Sequence, residues 1–228
     1  MPTKVTKKFT AWSHSRLKEY EDCPLKAKID HLDKIKEPKG PALLNGQRVH
    51  KEAEDYVSGR LKKLPASLKL FAAEFKALRK ISKRVALEGE LAFDKTWRRC
   101  DWFAPETWLR LKMDAYYVDS DRLILVDYKT GKVHPENMEQ LDLYAVVGFL
   151  IHPEVSVVDA QLWYLDQGEV NARSYTLKEA GRLQKIWTKR PAKLLADSTF
   201  KPRPGSGCRW CWYSQGCRAK GGPGICKF

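Results

Sequence analysis

The chain has 228 residues, 43% of them hydrophobic, with 8 Trp, 6 Cys and a formal net charge of +14. That is enough apolar material to bury a real core, in one large domain or a domain with an appendage. No run of about 18 uncharged apolar residues exists, which excludes a spanning helix. The basic start Met-Pro-Thr-Lys-Val-Thr-Lys-Lys leads into no apolar signal core, so a soluble cytoplasmic protein is expected.

In chain order, Ser13 or Ser15 followed by Leu17, Tyr20 and Ala27 predicts a helix over 13–32, bent or restarted at Pro24. Glu37-Pro-Lys-Gly-Pro41 reads as a loop. A second helix is expected over 43–59, bearing His50, Glu54 and Val57. A third, rich in Ala, Leu, Lys and Phe, is expected over 66–84. Strands follow near 85–94, 107–118 and 122–128, with Asp119-Ser-Asp121 as the turn between the last two. An amphipathic helix over 136–150, strands over 155–165 and 171–175, and a basic helix over 177–197 complete the pattern. Lys201-Pro-Arg-Pro-Gly-Ser-Gly207 marks the passage into a cysteine-rich tail. A sheet of four or five strands bracketed by helices is α/β or α+β.

Charge is unevenly placed. Residues 60–84 carry 9 Lys/Arg against 1 acid, residues 178–228 carry 12 against 2, and residues 85–177 carry 9 against 16. An acidic centre between basic segments suits a metal-binding cleft with phosphate-gripping walls. The plainer account is that single lysines such as Lys62, Lys63 and Lys69 are solvated faces.

The densest chemistry lies at Leu123-Ile-Leu-Val-Asp127-Tyr128-Lys129-Thr130-Gly131, with Asp114 upstream in another strand-like run. Four apolar β-formers end in an acid and a lysine two residues apart, which share one face of a strand. Charges there are costly unless they have a partner or a task. A hairpin brings Asp114 beside Asp127. Two carboxylates and a lysine suit a Mg²⁺ site that activates water against a phosphodiester. An Asp127–Lys129 surface ion pair is the bland alternative. Gln140 and Tyr144 share one face of the following helix.

The cysteines form a second constellation. Cys208-x2-Cys211-x5-Cys217 with the distant Cys23 offers four thiolates. In a reducing compartment such a Cys-x2-Cys pair indicates metal rather than disulfide. The thiolate count fits an iron–sulfur cluster or a Zn²⁺ site. Cys226 is able to replace one ligand, and Cys100 is expected to be a free thiol.

In order along the chain, Trp12-Ser-His-Ser15-Arg-Leu-x-x-Tyr20-x-x-Cys23-Pro24, Asn45-Gly46-x-x-Val49-His50-x-x-x-Glu54, Asp114, Asp127-Tyr-Lys129-Thr-Gly131, Gln140-x-x-x-Tyr144-Ala145 and the terminal cysteines resemble the RecB-type branch of the PD-(D/E)XK nucleases. That branch includes CRISPR-associated adaptation nucleases and many phage exonucleases. The resemblance covers nearly the whole chain. It implies an α/β restriction-endonuclease-like core with a central mixed sheet flanked by helices. It further implies one nuclease domain over 1–228, with a helical cap (1–84), a catalytic core (85–177) and a basic helix and cysteine-ligated tail (178–228).

The implied activity is metal-dependent DNA exonuclease action. Asp114, Asp127, the Tyr128 carbonyl and His50 would hold Mg²⁺ or Mn²⁺, and Lys129 would orient or deprotonate the attacking water. A helper carboxylate is implied at Glu88 or Glu90, with Glu90 preferred; both being edge-strand charges is the alternative. Gln140 and Tyr144 are implied to contact the DNA backbone and the lysine's surroundings. The cysteines Cys23, Cys208, Cys211 and Cys217 are implied to hold a [4Fe–4S] cluster that clips the tail to the first helix, with structural Zn²⁺ as the rival. The implied partner is DNA, gripped at its phosphates without sequence readout. A second copy, or a recombination or CRISPR protein, is a further partner, in a bacterial or archaeal cytoplasm or encoded by a phage. A catalytically weak DNA-binding module on the same scaffold is the runner-up, and a structural zinc protein with a basic tail ranks last.

Overall fold

Alternating runs of branched and aromatic residues build a six-stranded sheet in the computed structural model, which describes residues 7–215 and 222–228. The strands are β1 (Ala86–Phe93), β2 (Arg99–Cys100), β3 (Leu109–Asp119), β4 (Arg122–Lys129), β5 (Val157–Tyr164) and β6 (Glu169–Thr176), in the order β2-β1-β3-β4-β5-β6. All neighbours are antiparallel except β4 and β5. A parallel pair needs a crossover, and α5 (Met138–Ile151) supplies it. The sheet is therefore mixed, as expected, with one strand more than the pattern predicted. The extra strand, β2, is two residues long and carries no periodicity to read.

Helices cover both faces. On one face, α5 and α6 (Leu177–Lys189) pack with Trp12, Leu17 and Tyr20 against Leu109, Leu111, Leu123 and Leu125. On the other, α3 (Pro41–Val57) and α4 (Ala72–Lys80) place Val49, Ala53, Phe75 and Leu78 against Val126, Tyr128 and Trp163. The crossover helix is not amphipathic as predicted. Eight of its residues, Leu141, Leu143 to Phe149 inclusive, are buried, because α6 and the sheet enclose it from two sides.

Three predicted helices are broken where backbone chemistry requires it. The 13–32 helix is α1 (His14–Asp22) and α2 (Pro24–His31), separated by Cys23 in extended conformation, φ −157°. Proline disfavours the helical region for the residue before it and is at home in a first turn. Pro191, which has no N–H to continue the helical ladder, divides the 177–197 helix into α6 and α7 (Ala192–Ala196) although Arg190 before it is still helical. The 66–84 segment starts as a 3₁₀ turn, Ala66–Phe71, and is α-helical only in α4.

Candidate active site

The site is built on a shared irregularity of β1 and β3. Leu109, Leu111 and Met113 face the α5 side, yet Ala115 and Tyr117 face the α3 side, so the alternation of β3 reverses at Asp114. β1 reverses opposite it: Leu91 and Phe93 face α5, whereas Leu87 faces α3. The pairs Leu87↔Ala115 and Gly89↔Met113 keep register across the step, which sets Glu88 across from Asp114. Glu88 absorbs the reversal with φ +50°, a left-handed conformation that costs a residue with a Cβ.

Asp114 is buried and bonded on both sides. Its Oδ2 accepts from the Tyr128 backbone N–H at 2.6 Å, and its Oδ1 lies 3.1 Å from His50 Nδ1. His50 reaches it because α3 comes close to the end of β4. A Cβ on Gly46, one turn before His50, would stand 3.1 Å from Thr130 Oγ1. His50, Glu88 and Asp114 each offer one atom within 4.8 Å of the others.

Asp127 is buried and turns to α5. Its Oδ1 accepts from the Tyr144 hydroxyl at 2.5 Å and from Gln140 Nε2 at 3.1 Å. Gln140 Oε1 accepts from Lys129 Nζ at 2.8 Å. Asp127 Oδ2 is buried and is met by the Lys129 ammonium 2.5 Å away. Gln140 and Tyr144 thus tie Asp127 and Lys129 of β4 to the crossover helix.

Burial and the charge of Asp127 raise the Asp114 carboxyl above the usual carboxylate range, against the His50 and Tyr128 bonds. Burial pulls His50 down, but the bond to Asp114 and the charges of Asp114, Asp127 and Glu88 carry it above its ordinary value. Burial and Asp127 raise the Tyr144 phenol far above its ordinary range, so it stays a donor. The raised Asp114 carboxyl and the raised His50 both mark negative charge gathered at this spot, which a cation would relieve.

A cleft of about 620 Å³ opens over Asp114, lined by His50, Glu88, Lys112, Tyr128 and Lys129 among others, whereas Asp127, Gln140 and Tyr144 lie behind it and do not line it. Glu90, the preferred helper, does not line it. Its side chain is exposed, with the Lys112 ammonium at 4.0 Å, whereas Glu88 holds that ammonium at 2.8 Å. Lys112 and His14 were not foreseen. Lys112 carried the signal of alternation with Asp114. His14, the first residue of α1, stands near Lys129; burial and then that charge push it down to about 4, so it is neutral at pH 7.

A family model described as the PD-(D/E)XK nuclease superfamily matches residues 11–218. The chain belongs to the PD-(D/E)XK nuclease superfamily. Its sheet and flanking helices also match a solved structure, a candidate exonuclease from Eubacterium rectale, at 15% identity and TM-score 0.51, over 89% of this chain and 86% of that one. A second solved structure, SSO0001, matches at 15% identity and TM-score 0.47, over 95% of this chain and 90% of that one. No curated protein matches the chain. No helix among the described residues is long and apolar enough to cross a membrane.

The cysteines converge elsewhere. Cys23, Cys208, Cys211 and Cys226 line a cavity of about 520 Å³ between the α1–α2 junction and the tail. Cys23 Sγ accepts from the Arg203 N–H at 3.5 Å and Cys208 Sγ from the Gly205 N–H at 3.4 Å. Cys217 lies outside the described residues. Cys100 is set apart, its thiol 3.7 Å from Thr107 Oγ1.

Proposed function

We propose that the protein is a Mg²⁺- or Mn²⁺-dependent deoxyribonuclease that removes nucleotides from DNA ends. The observation that carries this reading is the pair of buried, electrostatically linked carboxylates on neighbouring strands, with His50 and Glu88 on one side and Lys129 on the other. The donors suit a hard divalent ion: carboxylate oxygens of Asp114 and Glu88 and a His50 imidazole nitrogen that favours Mn²⁺, with the Tyr128 carbonyl and, on release from Lys129, Asp127 Oδ2 completing the proposed set. Such an ion supplies a water of lowered pKa and neutralises charge on the phosphate. Glu88 replaces Glu90 as the helper carboxylate in this reading.

The protein's own groups do the rest. Lys129 directs an ammonium at the phosphate oxygens or the attacking water. Gln140 and Tyr144 act as positioning residues, holding Lys129 and Asp127 in one geometry. His14, neutral beside Lys129, accepts or donates a hydrogen bond without adding charge. Exposed lysines on α4 and α6 grip phosphates without reading bases.

We also propose that the cavity around Cys23, Cys208 and Cys211 holds a [4Fe–4S] cluster with Cys217. The support is the cavity's size, larger than one ion needs, and the N–H groups aimed at two sulfurs. Cys226 is available as an alternative thiolate.

The test of the nuclease reading is cleavage of end-labelled DNA in Mg²⁺ and in Mn²⁺. Asp127→Ala and Lys129→Ala are each expected to lose about a thousandfold in turnover while DNA binding is retained. Wild-type turnover by either variant in both ions would overturn the assignment.

A further inference from the structure

The connection between β1 and β3 presents the most exposed large apolar side chain among the described residues, Phe103 at 85% exposure. It is not a loose side chain on a loose loop. The Arg110 guanidinium lies over both Trp102 and Phe103, 5.7 and 5.8 Å from their ring centroids. Arg110 Nε donates to the Trp102 carbonyl at 2.8 Å. Thr107 secures the base of the loop, its Oγ1 donating to Asp101 O at 2.9 Å and its N–H to Ala104 O at 3.1 Å. The backbone is thus fixed while the Phe103 ring is held in water, the reverse of what core packing requires.

The platform is connected to the candidate active site by one strand. Arg110, Lys112 and Asp114 alternate along β3, ahead of the phase reversal, and share the α3-side face. Four residues of strand span about 13 Å, the length of about four stacked nucleotides at 3.4 Å each. Arg110 has no carboxylate partner among the described residues, and Lys112 stands between it and Asp114. On the loop itself the exposed Lys95, Arg98 and Arg99 are balanced by Asp94, Asp101 and Glu106. What the loop adds is therefore an exposed aromatic ring backed by a guanidinium that has no carboxylate partner among the described residues, a combination on which nucleobases stack.

We infer that Trp102, Phe103 and Arg110 form a stacking platform for an unpaired base of the DNA strand cut at Asp114, so that the preferred substrate carries a single-stranded end. The inference rests on the nuclease reading, but its test does not depend on turnover. Oligonucleotides carrying 2-aminopurine at successive positions would be bound to the full-length protein in chelator, as single strands, as duplexes with overhangs and as blunt duplexes. The wild-type protein quenches the probe at one position, about four nucleotides from the phosphate at which it cuts. Phe103→Ala is expected to abolish that quenching and weaken binding of single-stranded ends about tenfold, with less than a twofold effect on blunt duplex. Phe103→Trp restores both. The exposure of Phe103 makes the alanine variant safe for folding, checked by its melting temperature. Quenching unchanged in Phe103→Ala, absent from the wild type, or equal binding losses for blunt and single-stranded ends would overturn the platform. Position-specific quenching in a protein that cuts no DNA would sustain the platform and remove the nuclease reading instead.

Discussion

Glu88 shows how one residue links strain to chemistry. Its left-handed backbone costs about 1 kcal/mol or more relative to glycine, which adopts that region freely. The ion pair it makes with the half-exposed Lys112 returns little. The compensating role is the carboxylate held within 4.8 Å of His50 and Asp114 donor atoms. Glu88→Gly is therefore expected to leave stability unchanged or raise it by up to about 1 kcal/mol, and to weaken Mn²⁺ binding tenfold or more. Thermal melts and Mn²⁺ titration calorimetry, run on one preparation, measure both. Loss of stability together with unaltered Mn²⁺ affinity would make Glu88 a structural residue only. At this scale Asp114, Asp127 and Lys129 stood out in the sequence because charged residues interrupt apolar strand runs there, whereas His50, in a polar helix segment, stood out only through the resemblance. The choice between Glu88 and Glu90 was not legible. Simple alternation puts both on one face, and only the phase reversal of two paired strands decides which one enters the cleft.

At the scale of elements, prolines do the dividing. Pro24 ends α1 and begins α2, leaving Cys23 extended between them with its sulfur toward the N–H of Arg203. A continuous 13–32 helix would have carried Cys23 as one more helical side chain; the break makes it the meeting point of both termini. Tyr213 closes the same contact from the tail, its hydroxyl donating to Asp30 Oδ1 at 3.1 Å and to Ile35 O at 3.0 Å. If a cluster occupies the cysteine cavity, Cys23→Ala should remove it and loosen α1 and α2, because a ligand to this residue closes a loop of almost the entire chain. The expected result is loss of about four irons and matching sulfide from anaerobically prepared protein, and a melting temperature lower by several degrees. One equivalent of zinc in the wild type would replace the cluster with its rival. Element boundaries in general were less legible than element types. The periodicity of 66–84 and 177–197 is helical throughout, and what breaks each helix is local: a 3₁₀ start and Pro191.

Across the whole molecule, the net charge of +14 overstates what is free to meet DNA. Part of it is spent on holding helices together. Arg60 is paired with Glu54 and Asp55, and Arg79 donates to Tyr56 O and Leu61 O while stacking on the Tyr56 ring. Arg190 is the clearest case. It binds Glu21 of α1 through two nitrogens at 2.8 Å, reaches Glu139 of α5 at 2.8 Å, and lies 4.9 Å over the Trp187 ring. The two basic segments read from composition are therefore mixtures, and partner geometry separates their members. Lys69, Lys76, Lys185 and Lys189 are exposed and make no ion pair among the described residues. They are the phosphate contacts to test. Each alanine variant should lower the slope of log K against log salt by about 1 and leave stability unchanged. Arg190→Ala should do the opposite, costing about 1 kcal/mol of stability with the salt slope preserved, because it removes a bidentate pair that joins α6 to α1 and α5. Binding isotherms between 50 and 200 mM salt, set beside denaturant melts of the same five variants, measure both quantities. A slope that stays constant in all four lysine variants would place the DNA track off the Ala66–Phe71 turn, α4 and α6, leaving their lysines as solvated surface and the grip to groups nearer the cleft.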